Sequence, residues 1–251
     1  MNRDVTIVAP VYLGQPHRLA YFDTYIKSCL NQKDFEKLNF VFLVEPDFLD
    51  FDPIARLRKY PNIRVLVNPF KYGLLLNQYM LLYYVFEILK LDHIIYTEDD
   101  CVLSNDVYAI ANYFINSKYY HESVLTLMNK DNLVDPPTTF NPDDACILEI
   151  KNHYHPVETG IVYFATWGYM CTQRIWRDCL KKWEHQWCFS ETFVPFMLET
   201  FPKIVTPRLS RLNHIGVEGA SYNQELYDKH NFRLYTPQNF DSPLDYKYVE
   251  I

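Results

Sequence analysis

The 251-residue chain contains no Gly-x-Gly-x-x-Gly, and the glycines at Gly216 and Gly219 are not followed by the Lys-Ser/Thr of a Walker-type phosphate loop. Dinucleotide binding and P-loop chemistry are therefore disfavoured. The six cysteines (Cys29, Cys101, Cys146, Cys171, Cys179, Cys188) include no pair at metal-ligand spacing. They read as reduced thiols of a cytoplasmic protein without a disulfide framework. The eight histidines form neither His-x-x-x-His nor His-Glu-x-x-His. His153 and His155 alternate as neighbours on one strand face would, but no cysteine spacing near them completes a zinc site. A basic stripe is also missing. The net charge of -7 argues against a nucleic-acid partner, although one nucleotide could still be held through a metal. No early segment joins a basic start to a long apolar run and a small-residue cleavage site, so secretion is not expected. The longest apolar stretch, Leu74 to Leu89, is interrupted by Asn77, Gln78 and Glu87 and is no membrane span. Internal repeats and low-complexity linkers are absent too.

What is present is ordinary for a globular chain, with 49% hydrophobic and 22% charged residues. Aromatic content is high: 21 Tyr, 17 Phe and 4 Trp, compatible with a carbohydrate-handling cleft because tyrosine offers both a ring and a hydroxyl. Val5 to Ala9, Phe40 to Val44, Ile63 to Val67 and the run ending at Tyr96 are short and almost wholly apolar. Strands of that kind are buried on both faces, in a mostly parallel sheet. Helical spacing of Leu19, Phe22, Tyr25, Ile26 and Cys29, and the long helix from Leu74 to Leu89, supply the crossovers of βαβ units. The fold class is α/β, a central parallel sheet flanked by helices. Residues 129–155, with Pro136-Pro137 and Pro142, read as irregular chain or short extended pieces. Further on, strand-like Gly160 to Met170, a helix from Arg174 to Trp183, a helix from Glu191 to Phe201 and a short strand between the prolines of Pro202-Lys203-Ile204-Val205-Thr206-Pro207 are expected. The simplest organisation is one unit over 1–251, in which 1–103 bind a nucleotide and 104–251 form the acceptor side and a closing loop.

The polar residues gather where strands end, which in an open α/β sheet is where ligands bind. Glu98, Asp99 and Asp100 follow the fourth strand. Three packed carboxylates repel one another unless a divalent cation lies among them, and oxygen ligands there suit Mg²⁺ or Mn²⁺ carrying substrate phosphates. A solvated acidic turn is the competing reading. Glu45, after the second strand, could accept from a nucleobase imide or a ribose hydroxyl, or be an ordinary loop acid. Tyr12, after the first, could stack on a base or belong to the rim. Asn77 and Gln78 break an apolar helix; one could face a nucleotide, or both could line a wet helix face. Glu191, opening a helix after Ser190, could act as a general base, though acids also favour a first helical turn. His214 and His230 lie late in the chain, where a returning tail can bring a metal ligand or phosphate donor.

Together these features resemble a glycosyltransferase of the GT-A fold, whose Asp-x-Asp motif takes here the form Glu98-Asp99-Asp100. Ile95-Tyr96-Thr97-Glu98-Asp99-Asp100, Trp167-Gly168, the helix from Glu191, Pro207-Arg208-Leu209-Ser210-Arg211, and Gly216-Val217-Glu218-Gly219-Ala220-Ser221 with Gln224, Asp228 and His230 are similar to the N-acetylglucosaminyltransferase I family. The resemblance runs from the first strand to about His230, and the tail cluster is its more distinctive part. It implies a metal on Asp100, Asp99 on the donor's ribose or sugar, Glu191 as catalytic base, Arg211 reaching the diphosphate, and a loop containing Ser221 that closes over the donor. It implies a UDP-sugar donor and a glycan acceptor. The family's acidic pair between two tryptophans is reduced here to Trp187-Cys188-Phe189-Ser190-Glu191, and its membrane anchor and stem have no counterpart. A single carboxylate base with in-line displacement gives inversion, and retention is the alternative outcome because nothing in the sequence fixes the geometry between Glu191 and the donor. Two other classes fit parts of the chain. A nucleotidyltransferase making the activated sugar would want a glycine-rich, basic loop where Pro10-Val11-Tyr12-Leu13-Gly14 stands. A non-catalytic glycan-binding module is the other.

Overall fold

The computed structural model describes residues 5–47, 52–134, 141–152, 165–178, 181, 200–201, 203–218, 224–229, 237–240 and 244–251. Apolar runs become strands wherever both their faces can be covered. β1 (Val5–Val11) is buried at all seven positions. It pairs in parallel with β2 (Leu38–Val44) on one side and β4 (His93–Thr97) on the other, and β3 (Ile63–Val67) lies outside β2. Across the sheet the order is β3-β2-β1-β4, closed by the antiparallel strand β8 (Gly168–Thr172) beside β4.

Alternation along these strands feeds two cores. Ile7, Ala9, Val11, Phe40 and Phe42 pack with Phe22 and Tyr25 of α1 (Pro16–Leu30) and with Ile110 and Phe114 of the helix Val107–Ile115. Val8, Val41, Leu43, Ile94 and Tyr96 point the other way, onto Leu81, Leu82, Val85 and Trp176. Each of the Val, Leu, Ile and Phe side chains contributes on the order of 1.5–3 kcal/mol by leaving water. The periodicity predicted for α1 is observed, with Phe22, Tyr25, Ile26 and Cys29 buried and Leu19 packed against them.

The long helix after Gly73 is not uniform. α2 (Leu74–Tyr83) passes into a π-helical turn over Tyr84–Ile88, where Leu89 N donates to Tyr84 O at 3.0 Å. The segment read as irregular chain or short extended pieces contributes a strand, β7 (Ile147–Asn152), to a second sheet. There it lies between β11 (Lys247–Glu250) and β9 (Lys203–Pro207), with β6 (Ser123–Leu125) beyond β9. The two sheets meet near a short antiparallel pair, β5 (Cys101–Leu103) with β10 (Leu212–His214). This pair sets the candidate site, because it lays His214 beside Cys101, one residue past the acidic run. Among the described residues no helix is long and apolar enough to cross a membrane.

Candidate functional site

Tyr12, Glu45, Asn68 and Glu98 each follow the last residue of a parallel strand, so one edge of the sheet gathers the polar groups. The acidic run is held there by α1. Tyr25 Oη lies 2.7 Å from Thr97 Oγ1, the Ser28 hydroxyl accepts from Leu103 N at 3.1 Å, and Gln32 Nε2 donates to Ser104 O at 2.6 Å. The same helix presents Arg18 in its first turn, the end at which the helix dipole disfavours a cation. Two carboxylates offset that cost. One Arg18 nitrogen donates to Asp100 Oδ2 at 2.7 Å and the other contacts Asp99 Oδ1. Tyr12 N donates to Asp99 Oδ2 at 2.8 Å.

His214 approaches from β10. Its Nε2 lies 3.3 Å from Asp100 Oδ1, its ring is 5.2 Å from that of Trp167, and Ile215 N donates to Asp100 O at 2.8 Å. Glu98, Asp100 and His214 each offer a ligand atom, all within 4.8 Å of one another. Gly216 makes room for this grouping, since a Cβ there would collide with the Asp100 carboxylate and press on His214.

The electrostatics are those of anions crowded out of water. Burial and then the neighbouring Asp100 charge push the Glu98 carboxyl up to about 8, against the pull of His214 and Arg18. Burial also raises Asp99, to about 6, with Arg18 holding it down and Asp100 adding to the rise. Asp100 goes the other way. Burial alone would raise it, but His214 and Arg18 together hold it well below the usual carboxylate range. Burial pulls His214 down, yet the Asp100 charge beside it leaves its imidazole raised. Two crowded carboxylates, Glu98 and Asp100, and one imidazole, His214, form a set of donors that a divalent cation would satisfy. The residues therefore fit Mn²⁺ or Mg²⁺.

The other expected positions divide. Tyr12 is half-buried, with Lys71 Nζ 5.3 Å from its ring centre, and Glu45 accepts from Tyr72 N at 3.0 Å in the loop after β3. Burial is the largest influence on Glu45 and raises its carboxyl. Asn77 is buried and turned onto protein: its amide accepts from Asn68 Nδ2 at 2.8 Å and donates to Leu43 O at 3.3 Å, clamping the ends of β2 and β3. Arg211 is not brought to the acidic run. Its guanidinium is fully buried, donates to Asp106, Leu209 O and Ala145 O, and lies 4.3 Å from the Phe240 ring centre. Glu191 and Ser221 lie outside the described residues. Arg18 was not singled out in the sequence, where it looks like one more residue opening an amphipathic helix. A basic residue six positions after Tyr12, at a helix start that favours acids, was the available signal.

No protein-family profile matches the chain, and a sequence search of characterised proteins finds no match. Solved structures do match. Residues 1–349 of S. aureus TarS in complex with UDP-GlcNAc superpose with a TM-score of 0.58 at 11% identity, over 90% of this chain and 64% of that one. Without that ligand the same TarS fragment gives 0.58 at 10% identity, over 91% and 69%. The mannosyltransferase PcManGT from Pyrobaculum calidifontis, in complex with GDP-Man and Mn²⁺, gives 0.56 at 13% identity, over 87% and 58%. This chain thus spans roughly three fifths to two thirds of the length of these structures. The shared architecture is the GT-A glycosyltransferase fold. The matches do not single out the N-acetylglucosaminyltransferase I family within it.

Proposed function

We propose that this chain is a metal-dependent glycosyltransferase that moves a sugar from a nucleotide-diphosphate sugar to a glycan hydroxyl. The observation that carries this reading is the grouping of Glu98, Asp100 and His214 at the carboxyl end of β4, within a GT-A fold. Structures of the same fold bound to UDP-GlcNAc, and to GDP-Man with Mn²⁺, support a nucleotide-sugar donor and a divalent cation. In this proposal Glu98, Asp100 and His214 hold Mn²⁺ or Mg²⁺. When bound, the cation supplies charge neutralisation for the leaving nucleoside diphosphate. Asp99, fixed by Tyr12 N and Arg18, would orient the donor's ribose or sugar. Tyr12 and Glu45, at the ends of β1 and β2, would flank the base; uridine as that base rests on the family resemblance.

The division of labour assigns 1–103 to the donor and 104–251 to the acceptor and to a closing loop containing Ser221. Glu191 is the proposed base, taking the proton from the acceptor hydroxyl so that in-line attack inverts the anomeric carbon. The proposed setting is the cytoplasm, on the reading of the scattered cysteines as reduced thiols.

Calorimetry with a panel of nucleoside diphosphates and nucleotide sugars, with and without Mn²⁺, tests the reading. Tight binding of one nucleotide that needs Mn²⁺ and disappears in Asp100→Ala is the expected result. No binding of any of them by the folded protein would remove the donor site and favour the non-catalytic glycan-binding alternative.

A further inference from the structure

Asp100 carries a cationic or potentially cationic group on each of its oxygens. Arg18 occupies Oδ2 at 2.7 Å, and His214 faces Oδ1 at 3.3 Å. Arg18 also contacts Asp99, so one guanidinium spans two of the three acids, and its side chain is only 13% exposed. Its Nε makes no hydrogen bond among the described residues. With Glu98 deprotonated and His214 neutral, as ligands must be, three carboxylates against one guanidinium leave a formal charge of -2. A divalent cation would cancel that remainder and stand next to a permanent positive charge on the same carboxylate. At such separations like charges repel strongly in a site with little water. A diphosphate arriving at the same strand ends reverses the balance, because its anionic oxygens offer the guanidinium a bidentate partner.

From this arrangement we infer that Arg18 couples the two ligands: it opposes a divalent cation at Glu98, Asp100 and His214 until a nucleoside diphosphate is bound, and then favours it. The inference rests on the proposed reading of the site as one for a cation and a diphosphate. Arg18 is in this sense a positioning residue, acting on the cation through Asp100. By linkage, the factor by which the nucleotide tightens the cation equals the factor by which the cation tightens the nucleotide.

Titration of Mn²⁺ into the folded protein, followed through the electron paramagnetic resonance signal of free Mn²⁺ and repeated with UDP present, measures both quantities without any turnover. Wild type, Arg18→Gln, Arg18→Lys and Asp100→Ala are compared, with circular dichroism confirming the fold. In Arg18→Gln, Mn²⁺ alone should bind about tenfold tighter than in wild type, and the enhancement by UDP should shrink by about tenfold. Arg18→Lys keeps a charge but cannot bridge Asp99 and Asp100, so it should lie between, and it carries the test if Arg18→Gln does not fold. Unchanged Mn²⁺ affinity and unchanged enhancement in the Arg18 variants, with Mn²⁺ binding lost in Asp100→Ala, would overturn the coupling while leaving the cation site standing. No Mn²⁺ binding by wild type, with or without UDP, would overturn the site reading and the coupling with it.

Discussion

Gly216→Ala separates the shape of the site from its charge. Gly216 does not have a positive φ, so alanine meets no backbone penalty there. The cost is steric: the added methyl would overlap Oδ2 of Asp100, come within 2.8 Å of its Cγ and reach 3.0 Å from Cε1 of His214. Asp100 cannot simply turn aside, because Arg18 holds the same oxygen at 2.7 Å and His214 faces the other at 3.3 Å. Overpacking of this kind costs about 1–3 kcal/mol. For a chain of this size that is a fall in Tm of about 2–12 °C. Displacing one ligand without removing it should weaken Mn²⁺ binding about 10- to 100-fold, as losing an orienting partner does. Differential scanning fluorimetry with and without Mn²⁺ reads both effects. Gly73→Ala is the control, because a Cβ there meets nothing within 4 Å but its φ of +76° strains any side chain. It should lower Tm by backbone strain and leave the Mn²⁺ shift intact. A Gly216→Ala protein with wild-type Tm and wild-type Mn²⁺ response would refute the reasoning.

Two further predictions concern pH and the buried arginine. Glu98, raised from 4.5 to about 8, keeps in the folded state a proton that the unfolded chain releases, so in the cation-free protein its contribution to stability falls as pH rises across that window. Asp99 acts with the same sign between 3.8 and about 6. A cation replaces the Glu98 proton and needs neutral His214, so Mn²⁺ affinity should climb between about pH 6 and pH 8, by at most about tenfold per unit for each proton released; calorimetry showing a flat or falling affinity would refute this. Arg211→Ala removes the partner of Asp106 in a fully buried pair and should destabilise the fold by about 3–5 kcal/mol in chemical denaturation. Nucleotide affinity of the folded fraction should stay within about twofold, and a loss of a hundredfold would instead put Arg211 at the diphosphate, as the family resemblance implies.

Much of the first hundred residues was legible because a strand buried on both faces must be almost wholly apolar, and Val5 to Ala9 and Phe40 to Val44 are; Ile63 to Val67, which carries Arg64, forms the edge strand β3 and is only partly covered. The position of Glu98, Asp99 and Asp100 at the end of such a strand was legible for the same reason. β5, β10 and β11 were not. Each has three or four residues in the structure and owes its existence to pairing with a distant segment. Asn77 was visible as a buried amide in an apolar helix, but its partners Asn68 and Leu43 lie on two other elements.

The contrast between Arg211 and His214 shows where local reading stops. They are three residues apart around β10, and in extended chain an odd separation sends side chains to opposite sides. One therefore meets Asp106 and the other Asp100. Sequence by itself determined the chemistry available, namely three adjacent carboxylates at a strand end and a parallel sheet to present them. Which cations face those carboxylates was decided by the tertiary structure alone. Arg18 and His214 reach Asp100 across 82 and 114 residues of chain, and only the packing of α1 and the pairing of β10 with β5 close those distances.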